Sequence, residues 1–252
     1  MTPASELIGV RVADVYKGTD TAGTLERETD GSVTFRYDPR YIDAEGPPVA
    51  TSLPFDPPIV RAGGGALPAF FTNLLPEGVR LLALKDRTRT SLSDELTLLL
   101  AVGRDCVGDV CVVPSGEDPD LPAPEETGFD VDRLFARAVA GRDPSALAGV
   151  QEKVSSSMLT IPTRTDGPAI LKLAPPEFPK LLENEAFFLA AARDSGLSAA
   201  SARLIADPHG KRALRVERFD RVWANEVWKK LAQEDGCQLT NTYPAGKYGL
   251  GV

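Results

Sequence analysis

The spacing of apolar and polar positions changes period along this chain, and each change predicts a different element. In LIGVRV, Ile8, Val10 and Val12 alternate with Gly9 and Arg11. In SVTFRY, Val33, Phe35 and Tyr37 alternate with Thr34 and Arg36. Period two in β-branched and aromatic residues predicts half-buried strands. YKGTDTAGT and ETDG between them read as turns, and RAGGGALP reads as a flexible loop, since it lacks the GK[ST] of a phosphate loop. From Pro68 the pattern turns helical. PAFFTNLLPEGVRLLALK predicts two short helices broken at Pro76. SLSDELTLLLAVG predicts one helix, capped by Ser91 or Ser93 and ended by Gly103. VCVVP, Val110 to Pro114, predicts a short apolar strand.

PSGEDPDLPAPEETG, Pro114 to Gly128, interrupts this pattern with four prolines and five acidic residues. It buries too little apolar surface to order itself, so a boundary is expected there. The expected division is a sub-domain at 1–113, an acidic linker at 114–128 and a second unit at 129–252. In that unit Val131, Leu134, Phe135, Ala138 and Val139 recur at helical spacing behind Asp130, a candidate N-cap. AILKL predicts a strand. A helix is expected from about Leu182 to Ser195, stopped by Gly196. SARLIA and RALRVERF predict two strands joined by the DPHGK turn. The fold class is therefore α+β, with a β-rich, helix-containing first part.

Composition removes several function classes. With 42% hydrophobic residues the chain can build a core, and its net charge of −8 makes it a poor binder of polyanions on its own. No apolar run approaches a membrane span, and MTPASELIGV does not read as a signal peptide, so a cytoplasmic location is expected. Cys106, Cys111 and Cys237 form no CxxC pair and read as buried thiols. His209, the single histidine, lies in a turn-like segment with no nucleophile placed beside it.

The order of four segments carries the candidate chemistry. AGVQEK (Ala148, Gly149, Val150, Gln151, Glu152, Lys153) offers a glycine, an amide and a lysine. Lys172 then sits on a predicted strand, Glu185 on a predicted helix, and Glu217, Arg218 and Phe219 at the end of a later strand. A phosphate-binding loop, a strand lysine, a helix glutamate that orients it and a hinge follow one another in this order in the small lobe of a protein kinase. Each piece alone is weak, because a strand lysine is more often a solvated edge residue.

These residues and their surroundings resemble the HipA-like toxin kinases of bacterial toxin–antitoxin systems. The resemblance runs through SVTFRYD, TSLPF, FFTNLLPEG and VGRDCVGDV in the first part. In the second it runs through LAGVQEK, ILKL, ENE, VERFDR, QEDGCQ and Lys247–Tyr248. It implies an N-terminal sub-domain followed by the small lobe of a serine/threonine kinase fold. It implies ATP, with Mg2+, bound at Ala148–Lys153, Lys172 and the hinge Glu217–Phe219. It implies a helix-turn-helix, HipB-like antitoxin as partner, contact with DNA only through that antitoxin, and an aminoacyl-tRNA synthetase as the substrate class.

The chain departs from the family pattern twice. The serine that family members autophosphorylate is Ala146 here, with Ser145 one place off and Ser155–Ser157 nearby. The Asp-x-His-x-Lys-Asn catalytic run and the later metal-binding aspartate do not occur within residues 1–252, so no catalytic or metal-ligating residue is assigned. A truncated, catalytically incomplete kinase is therefore expected. The alternatives are a non-enzymatic short form that binds the antitoxin or a kinase partner, and a protein with no nucleotide role.

Overall fold

The structure, a computed structural model, describes residues 2–119, 129–139, 159–163, 167–174, 178, 180–247 and 249. Its first part is an antiparallel sheet of β1 (Val12–Lys17), β2 (Asp20–Arg27), β3 (Val33–Tyr37), β4 (Ile59–Ala62) and β5 (Val110–Pro114), in the order β4-β3-β2-β1-β5. Against it pack α1 (Pro39–Asp43), α2 (Ala69–Thr72), α3 (Gly78–Thr88) and α4 (Glu95–Leu100). Phe35, Phe70 and Phe71 are almost fully buried at the centre, with ring centroids 5.1 Å apart for Phe35–Phe71 and 5.2 Å for Phe70–Phe71. Such tilted and edge-on pairs suit the charge distribution of the rings.

The predicted break at Pro76 falls between α2 and α3. Three local expectations are corrected. LIGVRV is not one strand: Leu7–Gly9 forms a 3-10 turn that buries Leu7 and leaves Ile8 52% exposed, and pairing begins at Val12. Only Gly18–Thr19 of YKGTDTAGT turns, because Thr21, Gly23 and Thr24 pair with β1. The cap of α4 is Asp94, whose carboxylate accepts from Thr97 N–H and holds Arg27 and Thr90, while Ser91 and Ser93 bond to each other. The helix ends at Leu100 and Gly103 opens a 3-10 turn.

The acidic segment also starts later than its composition implies. Pro114 pairs with Ala13, Ser115 N–H donates to Val12 O, and Glu117 pairs with Arg104. A free sheet edge and the buried guanidinium of Arg104 order these residues, which local apolarity could not do.

The second part is an antiparallel sheet of β6 (Leu159–Thr163), β7 (Ala169–Leu173), β8 (Ala202–Ala206) and β9 (Arg212–Glu217), in the order β6-β7-β9-β8. Helix α5 (Val131–Val139) covers one face, where Val131 meets Leu171, Leu173 and Ala213. Its N-terminus is held twice: Asp130 accepts from Arg133 N–H, and Asp207 of the β8–β9 turn accepts from Val131 N–H. Helix α6 (Leu181–Asp194) covers the other face through Leu182, which meets Leu214 and Val216. It stops at Gly196, whose φ of +79° fits the predicted glycine stop. Beyond β9 the chain forms a hairpin, β10 (Arg221–Ala224) and β11 (Val227–Lys230), and a short capped helix α7 (Gly236–Leu239). No period-two pattern announced this hairpin; Asn225 and Glu226, both at positive φ, make its turn.

Candidate functional site

Side-chain alternation decides which way Lys172 points. On β7, Ala169, Leu171 and Leu173 are buried on one face, so Ile170 and Lys172 lie on the other. Lys172 is paired in register with Leu214 of β9, and Leu214 packs beneath α6. Lys172 therefore emerges on the α6 side. On α6, Glu185 follows buried Leu182 by three residues, which puts both on the helix face turned to the sheet. The two meet: Lys172 Nζ donates to Glu185 Oε1, and their side chains are 24% and 26% exposed. An ion pair this accessible adds about 0–1 kcal/mol of stability, so its consequence is orientation of the ammonium group.

The predicted hinge lies where β9 ends at Glu217 and the chain turns at Phe219–Asp220. Glu217 and Phe219 face outward, Phe219 at 68% exposure, whereas Arg218 and Asp220 are buried. Glu217 N–H donates to Ser201 O and Arg218 N–H to Pro168 O, so the backbone is held from both sides. The Arg218 side chain turns away from Glu217 and Phe219 and enters the first sub-domain. What Arg218 offers a ligand beside those two residues is its main chain. The loop Ala148–Lys153 lies outside the described residues, as do Ser145, Ala146, Ser155–Ser157 and Tyr248.

Composition and periodicity gave no sign of the group Arg218 joins. Asp105 Oδ1 accepts from Arg218 Nη1 at 2.9 Å and Arg221 Nη2 at 3.0 Å. Asp220 accepts from Arg218 Nε at 2.9 Å and Nη2 at 2.7 Å, from Arg221 Nη1 at 2.7 Å and from Gly108 N–H at 2.9 Å. Cys106 O accepts from both guanidinium groups, and Gly108 O from Arg221. Two cations and two anions thus neutralise one another with little solvent access. Burial pushes the Asp220 carboxyl up, but Arg218 and Arg221, with the Gly108 N–H, outweigh it and hold its pKa below the ordinary value of 3.8. Gly108 has a φ of +85°, and a Cβ there would lie 3.3 Å from the Gln233 backbone. The positive φ favours glycine, and any Cβ would also crowd that backbone.

A second seam lies beyond the hinge. Asn73 Nδ2 donates to Thr242 O at 2.8 Å, Gln238 Nε2 to Phe70 O at 3.2 Å, and Tyr243 Oη to Leu67 O at 3.0 Å. Lys247 Nζ is 3.1 Å from Glu77, and Glu234 Oε1 accepts from Thr51. The segments TSLPF, FFTNLLPEG and VGRDCVGDV each place a residue on one of these two seams (Thr51, and Asn73 and Glu77, on the second; Asp105 and Gly108 on the first). Their presence in the resemblance was the one available signal that these residues had a shared task. The three cysteines are buried.

The HipA N-terminal domain family matches residues 13–113, and the HipA-like C-terminal domain family matches residues 145–251. Two Sinorhizobium fredii (strain NBRC 101917 / NGR234) relatives are named "Putative kinase Y4dM" and "Putative kinase Y4mE". They are 34% and 30% identical over 96% and 95% of this chain. The chain spans 62% and 61% of their lengths. A solved HipA structure from Shewanella oneidensis MR-1, in complex with HipB and operator DNA, has the same fold. It superposes with a TM-score of 0.71 at 19% identity, over 95% of this chain and 59% of its own.

Proposed function

The chain belongs to the HipA-like family, and from that premise we propose that it is the ATP-gripping portion of a toxin of the serine/threonine kinase type. The observation that carries the reading is the Lys172–Glu185 pair on the α6 face of the sheet, on the strand next to the one that ends in the exposed hinge. A lysine oriented by a carboxylate suits the α- and β-phosphates, and an outward-facing Phe219 beside main-chain groups suits adenine. In this reading Ala148–Lys153 contribute backbone donors to the phosphates, and Glu217–Phe219 contact the base. ATP with Mg2+ would supply the transferable phosphoryl group.

The relatives are longer than this chain, and residues 1–252 contain no Asp-x-His-x-Lys-Asn run. Nucleotide binding is therefore the role proposed for these residues, and phosphoryl transfer would need a base and metal ligands besides them. Without those groups most transition-state stabilisation is missing. The complex of the Shewanella HipA supports a HipB-like helix-turn-helix antitoxin as partner. With a net charge of −8, contact with operator DNA falls to that antitoxin. The proposed substrate class is an aminoacyl-tRNA synthetase and the proposed location cytoplasmic; among the described residues no helix is long and apolar enough to cross a membrane.

Titration of ATP into the purified chain and its Lys172→Ala variant tests the reading. Affinity should fall at least about tenfold, equivalent to about 1.4 kcal/mol. Glu185→Gln should lower it less, and neither form of the chain should transfer phosphate above background. Equal affinity in wild type and Lys172→Ala, or measurable transfer, would refute the proposal.

A further inference from the structure

The residues on either side of Phe219 are both anchored in the same loop of the first sub-domain, more than a hundred positions upstream. Arg218 reaches Asp105 and Cys106 O, and Asp220 takes the Gly108 N–H. Arg221 repeats the attachment one residue later, to Asp105, Cys106 O and Gly108 O. The receiving loop is itself fixed. Cys106 is part of the first apolar core, and a Cβ on Gly103 would lie 2.3 Å from Val112 O, so the 3-10 turn sits directly on β5. β9 ends at Glu217 and Phe219–Asp220 form a turn, so fixing the side chains of Arg218 and Asp220 in one loop restrains the backbone on both sides of Phe219. A planar guanidinium held at Nε, Nη1 and Nη2 leaves little rotational freedom to its own backbone.

We infer that Asp105, through Arg218 and Arg221, is a positioning residue for the adenine-facing hinge, so that the first sub-domain sets how well the second binds the base. The inference rests on the nucleotide reading above, and it adds a residue of the first sub-domain to that site. A positioning role differs from a merely structural one in its ligand dependence. Contacts to the base pass through the hinge, whereas contacts to the phosphates pass through Lys172 on another strand.

The test uses the full chain with Asp105→Ala and the gentler Asp105→Asn, which keeps an acceptor oxygen if the alanine variant does not fold. Affinities for ATP and for inorganic tripolyphosphate are measured side by side, and amide hydrogen exchange is followed at residues 217–221 and 169–173. Asp105→Ala should weaken ATP about tenfold and leave tripolyphosphate within about twofold, with Asp105→Asn between it and wild type. Hinge amides should exchange faster while those of β7 keep their protection. Equal losses for both ligands, or unchanged hinge exchange, would overturn the inference. Lys172→Ala, run in parallel, should weaken both ligands. A wild-type chain that binds neither ligand would sink the nucleotide reading, and the exchange comparison would still decide whether Asp105 orders the hinge.

Discussion

Removing the carboxylate of Asp220 strands two positive charges in the seam between the sub-domains. In the native chain that carboxylate accepts four hydrogen bonds, and its side chain is 4% exposed. After Asp220→Ala, Arg218 and Arg221 share the single charge of Asp105, and Gly108 N–H loses its acceptor. Breaking a buried ion pair from one side costs about 3–5 kcal/mol. At about 2–4 °C per kcal/mol for a chain of this size, the melting temperature should fall by about 6–20 °C. Urea unfolding followed by tryptophan fluorescence is the natural assay. Both tryptophans of the chain, Trp223 and Trp228, lie on the hairpin that begins at Arg221. Far-UV circular dichroism follows the secondary structure of the whole chain as a second probe. The double variant Arg218→Met with Asp220→Ala removes one charge of each sign and should recover much of the loss, because no surplus cation is left buried. A loss below about 1 kcal/mol for Asp220→Ala, or a double variant worse than the single one, would refute this account of the network.

The remaining expectations concern acid, the first core and the lysine. The folded-state pKa of Asp220 is lowered, so its stabilising contribution is full above its unfolded value of 3.8 and is lost as pH falls through the folded value. Tryptophan fluorescence should therefore change only below about pH 4, and a transition near neutrality would contradict the assignment. Phe71→Ala, at a fully buried position between Phe35 and Phe70, should cost about 3–5 kcal/mol in denaturant unfolding. Because Lys172 and Glu185 are each about a quarter exposed, Lys172→Ala should change stability by no more than about 1 kcal/mol while it lowers ATP affinity; a large loss of stability would make the pair structural.

Much of the local structure was legible in the chain, because it depends on near neighbours. Period two marked β3, the apolar run marked β5, Gly196 marked the end of α6, and Asp130 marked the start of α5. Lys172 and Glu185 were legible as a strand lysine and a helix glutamate, and alternation together with helical spacing brings them into contact. Failures came where a distant partner outweighed local preference. The Pro114–Glu117 stretch looked unable to order itself and is tied down by β1 and Arg104. The β10–β11 hairpin leaves Trp223, Val227 and Trp228 largely exposed, so burial imposed no alternation that a reader could detect.

The sequence by itself determined the α+β class, the elements on which the candidate lysine, glutamate and hinge sit, and the resemblance that linked them. Only the tertiary structure decided that Arg218 faces the first sub-domain, and that Asp105 and Cys106 O receive it across more than a hundred residues. Propensity and periodicity act over a turn or a few strand residues. Charge neutralisation in a buried seam instead acts between whichever groups the fold brings within about 3 Å of each other.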